Sequence, residues 1–350
     1  MATKLVAALV LVTGAACART QPALVFDPPR GDVRLVVLAD FNGPYGAVDY
    51  PAPLARAMAA ITTVWLPDLL LSPGDVIAGQ SHQLPDDRFA AMWAAFDTAV
   101  AEPLRAGAIA YAVALGNHDG SSQTAGGAYV FARERRAAVD YWSSSPPALA
   151  YQDSAGYPFD YSFTHAVGQA AAELFVVILD ASSSAVTQSQ REWLAAQLSS
   201  PAAVEAGARV VVGHLPLVPV AEGRDRSGEY LYLGRELGAL LSAGAVDLYV
   251  SGHHAAFYPG RLGDAELLFA GGIGARRLLG TTAAPLSTVT LVDVWLAAEA
   301  EGAPRLVYTT FDLADFTVVD PAGLPAVVGE VELSSRVGIG ARADKPPVQP

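Results

Sequence analysis

From Val33 onward, short apolar runs alternate with segments whose apolar residues recur at the helical period. Val33 to Ala39, Asp68 to Leu71, Ile109 to Leu115, Leu174 to Leu179, Val210 to Val212 and Asp247 to Val250 read as strands. Leu54 to Trp65, Arg88 to Leu104, Ala128 to Trp142, Gln188 to Leu198 and Tyr232 to Leu241 read as helices. Alternation at this spacing predicts a layered α/β sheet. After about residue 265 the helices stop, and Leu267 to Ala270, Ser287 to Trp295 and Arg305 to Phe311 read as antiparallel strands completing or flanking the main sheet. There is no internal repeat. The expected organisation is a leader over 1–17, a Pro- and Gly-rich linker over 18–32, a domain over 33–315 and a loosely attached tail over 316–350.

The strand-like runs share a second property: polar residues able to ligate a metal or carry a proton stand just past their C-terminal ends. Asp40 follows the first run, Asp75 the second after a Pro-Gly turn, and Gly116-Asn117-His118-Asp119 the third. His214 and His253 end two of the later runs. Ligands of open α/β sheets bind at this edge, so residues distant in sequence can converge there. Asn117 offers a carboxamide oxygen to a metal, and the adjacent His118 can donate a proton.

Composition narrows the partners. A chain of 350 residues with 52% hydrophobic content can bury a sizeable core. Its net charge of −13, with Lys4 and Lys345 the only lysines, disfavours a nucleic-acid backbone or an anionic membrane surface. The same charge would repel phosphate esters unless metal ions locally reverse the field, so a small phosphorylated substrate implies metals. At the N-terminus, Lys4, the apolar run Leu5 to Val12 and the small residues before Cys17 form the layout of a secretory signal peptide. Cys17 is the single cysteine, which rules out an internal disulfide. A small-residue tripeptide before a lone Cys resembles a bacterial lipobox, although Gly14 replaces the usual Leu. Two outcomes stand: a periplasmic or cell-surface lipoprotein anchored through lipidated Cys17, or plain secretion.

The five strand-end motifs resemble those of the calcineurin-like metallophosphoesterases, the superfamily that includes purple acid phosphatases. Its pattern runs Asp-x-His, Gly-Asp, Gly-Asn-His-Asp or Glu, Gly-His, Gly-His-x-His. This chain has Asp40-Phe41-Asn42, Gly74-Asp75, Gly116-Asn117-His118-Asp119, Gly213-His214 and Gly252-His253-His254-Ala255. The resemblance implies a four-layer α/β/β/α sandwich and hydrolysis of phosphate mono- or diesters by metal-activated water. It implies one or two divalent ions (Mn, Fe, Mg, Zn or Ca), with Asp75 bridging and Asn117, His214 and His253 completing the second site. In the same scheme His118 protonates the leaving oxygen. The first site keeps Asp40 and Asp75, gains Asn42 in place of His, and loses a ligand at Ala255. That departure leaves an alternative open, a degenerate member holding one metal or a phosphorylated ligand without turnover.

Other residues carry weaker expectations. His254 could take over the lost ligand by a local shift, although adjacent side chains on an extended backbone point to opposite faces. Asp119 either orients His118 or caps its turn. Arg276, after the Gly271-Gly272-Ile273-Gly274 turn, is either a phosphate contact or a surface arginine. His82 reads as a solvated loop residue near the metal-bearing edge, and Asp180 as a pocket-lining candidate.

Overall fold

The computed structural model describes residues 25–166, 172–296 and 305–336. The expected signal peptide with Cys17, the first part of the linker and residues 337–350 lie outside the described residues. The strands, in chain order, are β1 (Val33–Val37), β2 (Leu69–Ser72), β3 (Ala110–Val113), β4 (Thr124–Ala125), β5 (Ala128–Tyr129), β6 (Ala150–Gly156), β7 (Asp160–His165) and β8 (Leu174–Ile178). They continue with β9 (Ala208–Val212), β10 (Leu248–Ser251), β11 (Tyr258–Leu262), β12 (Ala265–Phe269), β13 (Thr288–Val294), β14 (Leu306–Asp312), β15 (Val327–Val328) and β16 (Val331–Leu333). The helices are α1 (Ala52–Ala60), α2 (Asp86–Phe96), α3 (Glu102–Ala106), α4 (Asn117–Gly120), α5 (Ala132–Ser144), α6 (Gln188–Leu198), α7 (Pro201–Glu205) and α8 (Gly234–Ala243).

Two sheets pack face to face. One has the order β14-β13-β1-β2-β3, the other β15-β16-β11-β12-β10-β9-β8-β7-β6. Side-chain alternation explains the layering. Val33, Leu35 and Val37 of β1 meet Leu174, Val176 and Ile178 of β8 between the sheets, whereas Val36 lies in the core under α1 and α2. Phe175 and Val177 face the other way, into a third core with α6 and α8. Three apolar layers thus separate helices, sheet, sheet and helices, the expected α/β/β/α sandwich. Strands buried on both faces read as continuous apolar runs, which is why the sequence pattern located them.

Local chemistry moves some boundaries. The helix expected from Ala128 starts at Ala132 because Gly126 (φ 59°) and Gly127 (φ 82°) turn the chain into the β4–β5 hairpin. Thr187 and Gln190 form a reciprocal capping box that fixes the start of α6 at Gln188. The hairpin of β6 and β7 has no counterpart in the apolar pattern, since β6 is largely exposed and polar.

Both expected flanks are tied down where they are described. Arg30 pairs with Asp68 at 2.7 Å, and the Gly31 N–H donates to Asp293, so the end of the linker is docked. The tail expected from residue 316 is not loose: β16 pairs antiparallel with β11, and β15 with β16, which extends the larger sheet. Pro259 and Gly260 inside β11 hide this edge from a propensity reading.

Candidate metal centre

Because β1, β2 and β3 run parallel, and β8, β9, β10 and β12 run parallel in the other sheet, the segments after β1, β2, β3, β9 and β10 reach one edge of the sandwich. Asp40, Asp75 and Asn117 come from the first sheet, His214 and His253 from the second. The backbone is forced there. Asp40 (φ 49°), Asp75 (φ 55°), Gln80 (φ 65°), His253 (φ 62°) and Ala255 (φ 45°) all sit in the left-handed region. Such residues cost on the order of 1–3 kcal/mol each and persist where surrounding structure over-determines them, which happens most at functional sites.

The second-site residues form a tight group of acceptors. Ligand atoms of Asp75, His214 and His253 all lie within 4.8 Å of one another. Asn117 Oδ1 is 2.8 Å from His214 Nε2 and 2.8 Å from His253 Nδ1, and Asp75 Oδ1 is 3.3 Å from His214 Nε2. Groups behind the ligands set their orientation. His214 Nδ1 faces the Pro73 carbonyl at 2.6 Å, and His253 Nε2 faces Glu229 at 3.1 Å, so each ring is held by its outer nitrogen and turns the other nitrogen inward. Asn117 donates its amide N–H to Gln80 Oε1 at 2.7 Å, which turns Oδ1 toward the histidines. Two inward imidazole nitrogens, a carboxamide oxygen and a carboxylate converging within hydrogen-bond range are a donor set that fits a cation.

The electrostatics agree. Burial pulls the His214 pKa down, but Asp75, Asp40 and the Pro73 carbonyl outweigh it and raise it to about 9. Burial pushes His253 down to about 4, against the pull of Glu229. Burial would raise Asp75, yet His214 and His118 hold it below the usual carboxylate range.

The first site is poorer. Burial, with the Asp75 charge adding to it, pushes Asp40 up to about 8 although His214 opposes. Asp40 is 7% exposed and its Oδ2 has no hydrogen-bond partner, an orphaned acceptor that suits a cation. The Asn42 N–H donates to the Asp75 carbonyl, placing Asn42 beside the Asp75 loop. Ala255 is buried and contributes no ligand. His254 does not replace it: its Nδ1 faces the Val220 N–H and its Nε2 the Glu229 carbonyl, so it buttresses the Glu229 loop.

His118 stands at the mouth. Its Nδ1 is held by the Gly79 carbonyl at 3.1 Å, its ring stacks on Tyr45 with centroids 5.3 Å apart, and its Nε2 is 3.9 Å from Asp75 Oδ2. Asp119 does not touch that ring. Its carboxylate accepts the N–H groups of Gly116, Asp75, Val76 and Ile77 at 2.7 to 2.9 Å, clamping the Asp75 loop to the Asn117 turn. Arg276 is exposed; it donates its backbone N–H to the Ala255 carbonyl and lines a recess beside Phe257. His82 is exposed and stacks on Phe131. Asp180 lies under the neighbouring loops, bound to Arg135 and Ser182. Sequence reasoning missed Gln80, Arg224 and Glu229, which act on the ligands from loops without apolar periodicity.

Comparison with known proteins gives a consistent picture. The family model for calcineurin-like phosphoesterases matches residues 33–257. No curated protein matches the sequence. Among solved structures, a purple acid phosphatase from yellow lupin (Lupinus luteus) seeds is similar with a TM-score of 0.55 and 15% identity, over 84% of this chain and 54% of that one. The anchor in the inner membrane complex of Plasmodium is similar with a TM-score of 0.54 and 14% identity, over 87% of this chain and 91% of that one. At such identities the likeness concerns the fold alone.

Proposed function

The chain belongs to the calcineurin-like phosphoesterases, and on that premise we propose that it hydrolyses phosphate mono- or diesters with divalent ions held by its strand-end residues. Asp75, Asn117, His214 and His253 would hold one ion, and Asp40, Asp75 and Asn42 a weaker second. Ions bound there supply the Lewis acidity that polarises the phosphoryl group and activates water near neutral pH. The observation carrying this reading is the convergence of ligating nitrogens on Asn117 Oδ1, 2.8 Å from one nitrogen of each histidine.

The protein's own residues do the rest. His118 keeps its Nδ1 proton on the Gly79 carbonyl, so the proton it can give up is on Nε2, the nitrogen facing Asp75. That is the position for a general acid serving the leaving oxygen. Tyr45 limits the ring's rotation, and Asp119 keeps the two ligand loops in register. A second reading, a one-ion protein that binds a phosphorylated ligand without turnover, is favoured by Ala255 alone.

Metal analysis together with hydrolysis of an aryl phosphate tests the proposal. Asp75→Asn and His118→Ala should each lower kcat by at least about 100-fold. Retained activity in both would refute the assignment. Wild-type protein with one ion and no turnover, gaining an ion and activity in Ala255→His, would establish the second reading.

A further inference from the structure

We propose that the cleft beside the metal ligands binds the alcohol part of the ester, and that this alcohol is a neutral polyol or monosaccharide; the inference rests on the hydrolase reading above. The cleft has a volume of about 480 Å³ and opens onto Asn117 and His253. Its walls are the loops Ser121–Thr124, Ser182–Ala185 and Ser227–Glu229. The lining is hydroxyl and carboxamide: Ser122, Gln123, Thr124, Ser183, Ser184 and Ser227 all contribute. Apolar lining side chains are few, Ala185 and Leu215, with the Tyr232 ring at the rim.

The same lining disfavours other alcohols. The charged residues of the cleft, Arg224 and Glu229, are paired with each other, and Glu229 also accepts from Arg226 and His253. A leaving group with its own phosphate or carboxylate would have to compete with Glu229 for Arg224, and a lipid or aryl group would find little apolar surface beyond Ala185, Leu215 and the Tyr232 ring. A hydroxyl both donates and accepts, so a serine-lined wall matches another set of hydroxyls without needing a fixed polarity. The walls are also set before any ligand arrives. Ser122 Oγ lies 2.7 Å from Ser183 Oγ, the Ser122 N–H donates to Ser182 Oγ at 2.9 Å, and Ser182 donates to Asp180 at 2.5 Å. Preorganised polar walls reject ligands that leave them unpaired.

The test uses the full chain loaded with Mn. Glycerol 3-phosphate and glucose 1-phosphate are compared with butyl phosphate, an alkyl ester lacking the extra hydroxyls, and with an aryl phosphate and a nucleoside monophosphate. The expected result is kcat/KM for the polyol esters at least about 100-fold above butyl phosphate and above the nucleotide. In Ser184→Ala and Ser227→Ala, KM for the polyol ester should rise about tenfold while kcat moves far less. Calorimetry with the free polyol should detect binding that weakens in the same variants. Turnover of the aryl phosphate without preference for polyol esters overturns the alcohol assignment and leaves the hydrolase reading intact. No turnover of any ester, with polyol binding that the serine variants weaken, overturns the hydrolase reading and sustains the cleft assignment.

Discussion

Replacing Arg135 with Met should destabilise the protein by about 4–6 kcal/mol and loosen the cleft with it. Arg135 is 8% exposed; its guanidinium donates to Asp180 Oδ2 at 2.9 Å and to the Gly120 carbonyl at 2.7 Å, and lies 3.6 Å from the Phe159 ring centroid. Methionine fills the stem but leaves Asp180, 4% exposed, without its counter-charge. Stranding one partner of a buried pair costs roughly 3–5 kcal/mol, and the lost bond to Gly120 adds about 1 kcal/mol. For a domain of this size that is roughly 7–10 °C in Tm. In Arg135→Met/Asp180→Asn the stranded charge is gone and the Ser182 contact retains an acceptor, so half or more of the loss should return. pH provides a second readout. Burial and the charge of Asp180 push Asp160 up to about 6, and Arg135 opposes this. An acid with a raised folded pKa contributes stability that is full below its unfolded pKa, about 3.9, and lost as pH rises through the folded value. Removing Arg135 raises Asp160 further, so the Tm deficit of Arg135→Met should be smaller at pH 5 than at pH 8. A double variant no more stable than the single one, or equal deficits at both pH values, would refute the reasoning.

Three other outcomes are expected at the metal centre. A Cβ on Gly116 would lie 2.2 Å from Asp75 Oδ1 and 2.4 Å from the Asp75 nitrogen, so Gly116→Ala should displace the carboxylate and strip bound ions; a full metal complement by elemental analysis would contradict this. Glu229→Gln should weaken ion affinity about 10- to 100-fold, because a neutral amide holds the outer nitrogen of His253 less firmly; chelator competition measures it, and a change under threefold would count against the role. Since ion-free His214 holds its proton up to about pH 9, ion binding should release a proton at pH 7, and apparent affinity should rise about tenfold per pH unit between pH 6 and 8. Affinity independent of pH across that range would show that His214 is not a ligand.

The sandwich was legible in the sequence because its central strands are buried on both faces and read as apolar runs, with the ligands one turn beyond each end. Elements at the margins were hidden by their own chemistry: β6 by its polar, exposed side chains, β11 by Pro259 and Gly260, and the docked tail by its short strands. At the site, a ligand shows as a residue type after a strand, but what orients it need not. Glu229 and Gln80 sit on loops whose positions depend on long-range packing, and the backbone carbonyls of Pro73 and Gly79 have no residue-type signal. Asp119 was visible as a residue, yet its four backbone partners come from two loops whose proximity only the fold reveals.

The ligand set straddles the seam between the two sheets, with Asp40, Asp75 and Asn117 on one side and His214 and His253 on the other. A protein with a single cysteine has no disulfide of its own across that seam. An ion shared between the two sides would join them where the strands end, so this edge would be indifferent to thiols and oxidants but open to any strong chelator. How long the folded edge lasts would then follow the free-ion concentration around it, and a shortage of metal would act on the protein's lifetime as well as on its chemistry.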